Sequence, residues 1–165
     1  MTLPFSLRTL VIGLLIFLVG LGGFLLWNWQ PQRQVQKVLQ RTLSAVENKD
    51  GVDLAKEISH SYNDQWGFDR NQVVEYASQG LAQFFWITIL PENIEIEIKD
   101  TTATIRCNLL FDGKGTSLAQ IALDRAQALK KPFTFTLQHE SKKPWDWKIT
   151  SLSQPEVHID PSYLP

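Results

Sequence analysis

Residues 94–109 read IEIEIKDTTATIRCNL, and their reading decides the fold. Ile94, Ile96 and Ile98 alternate with Glu95 and Glu97. After a turn at Asp100 and Thr101, Ala103, Ile105, Cys107 and Leu109 alternate with Thr104, Arg106 and Asn108. A period of two sends successive side chains to opposite faces, so the stretch predicts an antiparallel hairpin with one dry face and one wet face. A second hairpin follows. Phe133, Phe135 and Leu137 alternate with Thr134, Thr136 and Gln138, a turn comes at residues 141–144, and Trp145, Trp147 and Ile149 begin the return strand. Between the hairpins, Ser117 with Gln120 marks the start of a helix over about 117–130, with Leu118, Ile121, Ala122 and Leu129 on its inward side.

Upstream of residue 91 the period lengthens to three and four. Val35, Val38, Leu39, Thr42 and Val46 make one stripe of a helix over about 32–48, opened by Pro31. Asp50 is placed to cap a short second helix that turns Leu54, Ala55 and Ile58 inward. Asp69 followed by Gln72 is a capping box, predicting a third helix from Arg70 to about Trp86, with Val73, Val74, Ala77, Leu81, Phe84 and Phe85 on its apolar face and Pro91 barring continuation. From Gln154 on, Pro155, Pro161 and Pro165 predict an extended tail with little to bury. Three helices followed by two hairpins is an α+β layout, with helices packed on one face of an antiparallel sheet.

Ahead of all this, residues 10–26 read LVIGLLIFLVGLGGFLL, without a charged or polar side chain. With Trp27, Asn28 and Trp29 the run reaches about 20 residues, the length a helix needs to cross a bilayer core. Trp27 and Trp29 suit the headgroup level. A transmembrane helix over residues 10–29 is expected, with Leu10 and Trp29 at its ends and a short tail, 1–9, before it. The rival is a cleaved signal peptide, but the run exceeds the usual apolar core of such peptides and no small-x-small cleavage pattern follows. The short leading tail favours an outward-facing domain, periplasmic in a bacterium. Arg33, Lys37 and Arg41 after the run, against Arg8 before it, argue weakly the other way.

Charge and composition narrow the function classes. Every charged side chain but Arg8 lies after Pro31, fifteen basic against seventeen acidic, with no basic block. Nucleic acid is therefore a poor partner. The single cysteine, Cys107, excludes an intrachain disulfide and a thiolate zinc cluster. His60, His139 and His158 lack metal-binding spacing, so no metal and no cofactor are expected.

The order of elements, the Asn48-Lys49-Asp50 end of the first soluble helix, the run Ile58-Ser59-x-x-Tyr62-x-Asp64, the Phe84-Phe85 pair and the Trp147-Lys148-Ile149 strand together resemble the nuclear transport factor 2-like superfamily. That superfamily includes ketosteroid-isomerase-like and polyketide-cyclase-like (SnoaL-like) proteins. The resemblance covers residues 31–154, with 155–165 as a tail, and the inserted helix near 117–130 departs from the plain pattern. It implies a curved sheet and helices enclosing a cone-shaped pocket, lined here by Trp66, Phe84, Phe85, Cys107, Phe135, His139 and Trp147. Enzymes of the superfamily place a carboxylate or histidine base in that pocket. The inward register here carries no carboxylate, which leaves His60, Tyr62 and Asp64 as weak catalytic candidates. The competing reading is that Asp64 caps a turn while Tyr62 and Trp66 pack under the third helix. The expectation is a membrane-anchored, non-catalytic binding or assembly module of the cell envelope. Its partners would be the bilayer, a membrane protein or a second copy, and a small apolar ligand. The alternative is an isomerase-like or cyclase-like enzyme with His60 or Asp64 as base.

Overall fold

A computed structural model describes residues 7–28 and 30–158, with side chains placed for residues 12–24 of the first helix. In chain order the elements are α1 (Leu7–Asn28), α2 (Pro31–Glu47), α3 (Gly51–Glu57), α4 (Arg70–Leu81), β1 (Phe84–Lys99), β2 (Thr102–Gly115), α5 (Ser117–Gln127), β3 (Phe133–His139) and β4 (Trp147–Ser153). The four strands form one antiparallel sheet in the order β1-β2-β3-β4, so the expected α+β class and both hairpins are present.

Pro31 opens α2 as expected, and one face of that helix buries Val35, Val38, Leu39, Thr42 and Leu43. The Asp50 carboxylate accepts from the Val52 and Asp53 N–H groups and starts α3. Asp69 and Gln72 complete the capping box of α4. The core lies between these helices and the sheet. Val35, Val38, Leu39, Ile105, Cys107 and Leu137 are its best-buried members.

Four expectations need correction. The third soluble helix ends at Leu81, not near Trp86, and β1 starts at Phe84. The run from Phe84 to Ile89 is aromatic and β-branched, and strand pairing with residues 111–115 overrides the helical spacing of Leu81, Phe84 and Phe85. Pro91 is no terminator, because it lies within β1, an edge strand, where a missing N–H is tolerated.

Second, the dry face of β1 changes parity. Ile87 and Ile89 are buried, whereas beyond Glu92 it is Ile96 and Ile98 that pack against the core. A bulge between Glu92 and Glu95 inserts one residue, with Asn93 at φ 52, and so exchanges the faces. Ile94, expected inside, is caught at the bulge and is exposed.

Third, α5 is capped by Thr116, whose hydroxyl accepts from the Ala119 N–H, and it buries Ala119 and Leu123. Leu118 and Ile121, expected inside, are exposed. The close approach of Gly115 sets this face. A Cβ there would stand 2.6 Å from the Ala119 Cβ, so only glycine lets α5 lie this near the end of β2.

Fourth, the chain after β4 is tied down. Gln154 is fully buried. Its amide donates to the Lys131 carbonyl at 2.9 Å, and its own backbone groups bond the Gln65 side chain. The Glu156 carboxylate accepts from the Lys131 and Lys130 N–H groups, which hold its pKa below the usual value. Pro161 and Pro165 lie outside the described residues.

The end of α2 also fastens β1. Glu47 Oε1 accepts from the Ile89 N–H at 2.7 Å, and Lys49 Nζ donates to the Phe84 and Phe85 carbonyls at 2.7 and 3.0 Å.

The first helix, α1, ends before Pro31, and the apolar side chains placed on it are exposed on every side. Among the described residues, whose side chains within α1 cover only 12–24, no helix is long and apolar enough to cross a membrane. Trp29 lies outside the described residues.

Candidate functional site

Between the helices and the sheet lies an open-mouthed apolar cavity of about 220 Å³. The stripe of α2 that builds the core also supplies Thr42, Leu43 and Val46 to its wall. Leu54, Ile58 and Tyr62 close it from α3 and the loop beyond, and Val73 and Ala77 from α4. The sheet contributes Ile89, Leu109 and Phe111, then Phe133, Phe135, Ile149 and Leu152. The two parity changes in the sheet place these residues. The bulge in β1 turns Ile89 inward, and a second irregularity opposite Thr136 and Leu137 brings both Ile149 and Leu152 to the same face of β4.

Two of the lining residues, Tyr62 and Thr42, carry hydroxyls, and both face the cavity only through their carbon atoms. That of Tyr62 is engaged, donating to Asp64 Oδ2 at 3.2 Å. Burial first, then the charge and hydrogen bond of Asp64, push its pKa up, against a smaller opposing effect from the Leu152 backbone. That of Thr42 is different. Its Oγ1 is buried and has no hydrogen-bond partner. A buried hydroxyl left so costs about 1–3 kcal/mol.

The three candidate catalytic residues are brought near one another but not into one site. His60 is exposed and does not line the cavity. Asp64 is buried behind Tyr62, and its Oδ1 accepts from the Trp66 and Phe68 N–H groups at 2.9 Å each. These bonds hold the tight loop that Gly67 closes at φ 82. Asp64 is thus the turn-forming residue of the competing reading.

Of the residues expected to line the pocket, Phe135 does so. The others are corrections. Phe85 is exposed, on the outside of the strand that displaced the expected helix. Phe84 packs at the margin of the core. Cys107 is buried within the core, where desolvation pushes its thiol up to about 11. Trp66 is half-buried and donates its ring N–H to the Val157 carbonyl at 3.0 Å. His139 stacks on Trp147 at 4.9 Å, with its Nε2 2.7 Å from the Lys143 carbonyl. Thr42 was legible only as part of an apolar stripe. The signal that singles it out is a hydroxyl at a stripe position otherwise filled by valine and leucine.

Other concavities lie around this site. A polar groove between α2 and α3 contains the paired Arg41 and Glu57, with Nε to Oε1 at 2.9 Å. A wider groove runs along the exposed apolar side of α5, past Leu118 and Ile121. Among the described residues no group of three or more histidine, cysteine, aspartate or glutamate side chains is placed to hold a metal ion.

No family model matches the sequence, and no curated protein sequence does. Solved structures do match. A provisionally named dehydratase of the nuclear transport factor 2-like family from Streptomyces avermitilis is 14% identical, with a TM-score of 0.56 over 74% of this chain and 93% of the other. A provisionally named scytalone dehydratase from Novosphingobium aromaticivorans is 13% identical, with a TM-score of 0.56 over 78% and 89%. Bd1075 from Bdellovibrio bacteriovorus is 9% identical, with a TM-score of 0.57 over 73% of this chain, which spans 40% of that protein. At such identities the likeness concerns the fold alone, and the fold is that of the nuclear transport factor 2-like proteins.

Proposed function

We propose that the chain is a membrane-anchored binding module that holds a small apolar molecule in its cavity and does no chemistry on it. The observation that carries this reading is the cavity wall. Of its fifteen residues only Tyr62 titrates, and the Tyr62 hydroxyl is already bonded to Asp64. A catalytic base must come within hydrogen-bond reach of the proton it takes. His60 is on the surface, and the Asp64 oxygens are occupied by Tyr62 and by two backbone N–H groups.

The proposed anchor is the apolar run of residues 10–29, which would be about 30 Å long if helical throughout, against about 30 Å of bilayer core. Its exposed isoleucines, leucines and phenylalanines find their natural solvent in lipid. The domain would then face outward from the membrane, beside a membrane protein or a second copy of itself.

A second reading is supported by one contact and one likeness. Tyr62 and Asp64 form a hydrogen-bonded pair at the cavity wall, and two proteins of this fold are provisionally named dehydratases. On that reading the pair would serve an isomerase-like or dehydratase-like reaction. One experiment separates the two. The full chain is taken from its own membranes in mild detergent after a carbonate wash, and the small molecules that travel with it are identified and incubated with it. Retention in the washed pellet and recovery of an unchanged apolar compound support the module. Conversion of that compound, abolished in Asp64→Asn, overturns it in favour of the enzyme.

A further inference from the structure

One end of the domain gathers features that the cavity does not use. Glu47 and Lys49, at the end of α2, bond Ile89, Phe84 and Phe85 in the first part of β1, whereas Gln32, Arg33 and Gln36, near its start, share a groove with Ile94 and Ile96. Helix and strand are therefore antiparallel. From Ile96, β1 runs on for three residues, about 10 Å, past the start of α2 to the turn at Asp100 and Thr101. The loop between β3 and β4, residues 140–146, is at the same end, because Gln138 pairs with Thr102 and the His139 N–H donates to the Thr101 carbonyl at 2.8 Å. This loop carries Lys142 and Lys143, both exposed, and Trp145, which is half exposed. Of the acids in and beside the two loops, Glu140 accepts from the Ser59 hydroxyl, Glu97 is paired with Lys99 at 2.8 Å, and Asp100 and Asp146 carry the remaining negative charge.

Resting on the anchor reading above, we propose that the loop of residues 140–146 lies on the membrane that residues 10–29 cross, with Trp145 at the headgroup level and Lys142 and Lys143 on lipid phosphates. Pro31 opens α2 two residues after that apolar run ends, so the end of the domain that holds both loops is the end nearest the bilayer. An indole suits that layer, with an apolar body and a wet N–H, and lysine stems lie along apolar surface while their ammonium groups reach the phosphates. Trp86 is similarly exposed but stands at the opposite end of β1, and it stays in water. A domain held by one helix can swivel, and this second foothold fixes its tilt on the surface.

The test uses the full chain reconstituted in vesicles of phosphatidylcholine and phosphatidylglycerol, with and without bromine on the acyl chains. Ser141→Cys carries a fluorophore that bromine quenches. Gln120→Cys, exposed in the first turn of α5 at the opposite end of the sheet, carries the same label as a reference. Cys107 is buried, and the wild type treated with the same reagent gives the blank. The brominated lipid is expected to quench the label at 141 and to leave that at 120 bright. Lys142→Glu with Lys143→Glu, labelled at 141, is expected to lose the quenching. Equal quenching at 141 and 120, or quenching undiminished in the charge-reversed variant, overturns the loop contact and leaves the anchor standing, provided the chain floats with the vesicles. A chain that does not float with them overturns the anchor reading together with this inference.

Discussion

The Tyr62 hydroxyl donates to Asp64 Oδ2 at 3.2 Å, two residues along the chain, and this bond joins the cavity wall to the loop behind it. Asp64 Oδ1 holds the Trp66 and Phe68 N–H groups, so one carboxylate organises the whole turn. Asp64→Ala is expected to cost about 2–4 kcal/mol in denaturant unfolding, because a buried and a partly buried N–H group lose their acceptor. His60→Ala, at an exposed position, should stay within about 0.5 kcal/mol. Equal costs at the two positions would contradict the structural role given to Asp64.

Alkaline pH should destabilise the domain through Tyr62 and Cys107. Burial raises both, the thiol from 9.0 to about 11 and the phenol above its ordinary 10.0. A raised folded-state pKa means the unfolded chain loses its proton first. The stabilising contribution is therefore complete below about 9 and is lost as pH climbs through 9–11 for Cys107 and beyond 10 for Tyr62. Unfolding midpoints measured from pH 8 to 11 should fall less steeply in Cys107→Ala than in the wild type.

The dry register of β2 and β3 can be read by truncation. Ile105 is fully buried and Phe135 nearly so, whereas Arg106 is exposed. Ile105→Ala should cost about 2–5 kcal/mol and Phe135→Ala about 3–5 kcal/mol, with Arg106→Ala far below either. Phe135→Ala should also enlarge the cavity, so toluene added at saturation ought to recover part of the lost stability.

Gly115→Ala should shift α5 or strain the end of β2. The new methyl would meet the Ala119 Cβ at 2.6 Å and the Phe84 Cα at 2.8 Å, besides the Gln83 carbonyl. Overpacking of this kind costs about 1–3 kcal/mol. The double variant with Ala119→Gly should regain part of it, which thermal unfolding of the pair can verify.

Much of this fold is legible in the sequence, because local chemistry and tertiary structure agree there. Asp50, Asp69 and Pro31 start helices where capping rules put them, and Ala103, Ile105 and Cys107 turn inward as their alternation requires. The misreadings fall where a non-local contact decides. Phe84 and Phe85 keep helical spacing from Leu81, yet pairing with β2 makes them strand. Leu118 and Ile121 look like a buried face, yet the closeness of Gly115 to Ala119 turns α5 the other way. The site is harder to read than the fold. Its wall is assembled from residues spread between Thr42 and Leu152, and hydrophobic residues give the same signal in a filled core as around a cavity.

The fastening of β1 by α2 has a consequence for how copies of this protein share a crowded environment. A sixteen-residue edge strand is a template on which a second chain can grow, and long edges of that kind lead to fibrils. Here Glu47 and Lys49 take up outward-facing groups of Ile89, Phe84 and Phe85, Pro91 has no N–H to offer, and the bulge at Asn93 bends the remainder off line. Glu92, Glu95 and Glu97 follow, so two copies brought edge to edge would set like charges against each other. The helix that builds the cavity thus also acts as a built-in chaperone for the strand most exposed to its neighbours.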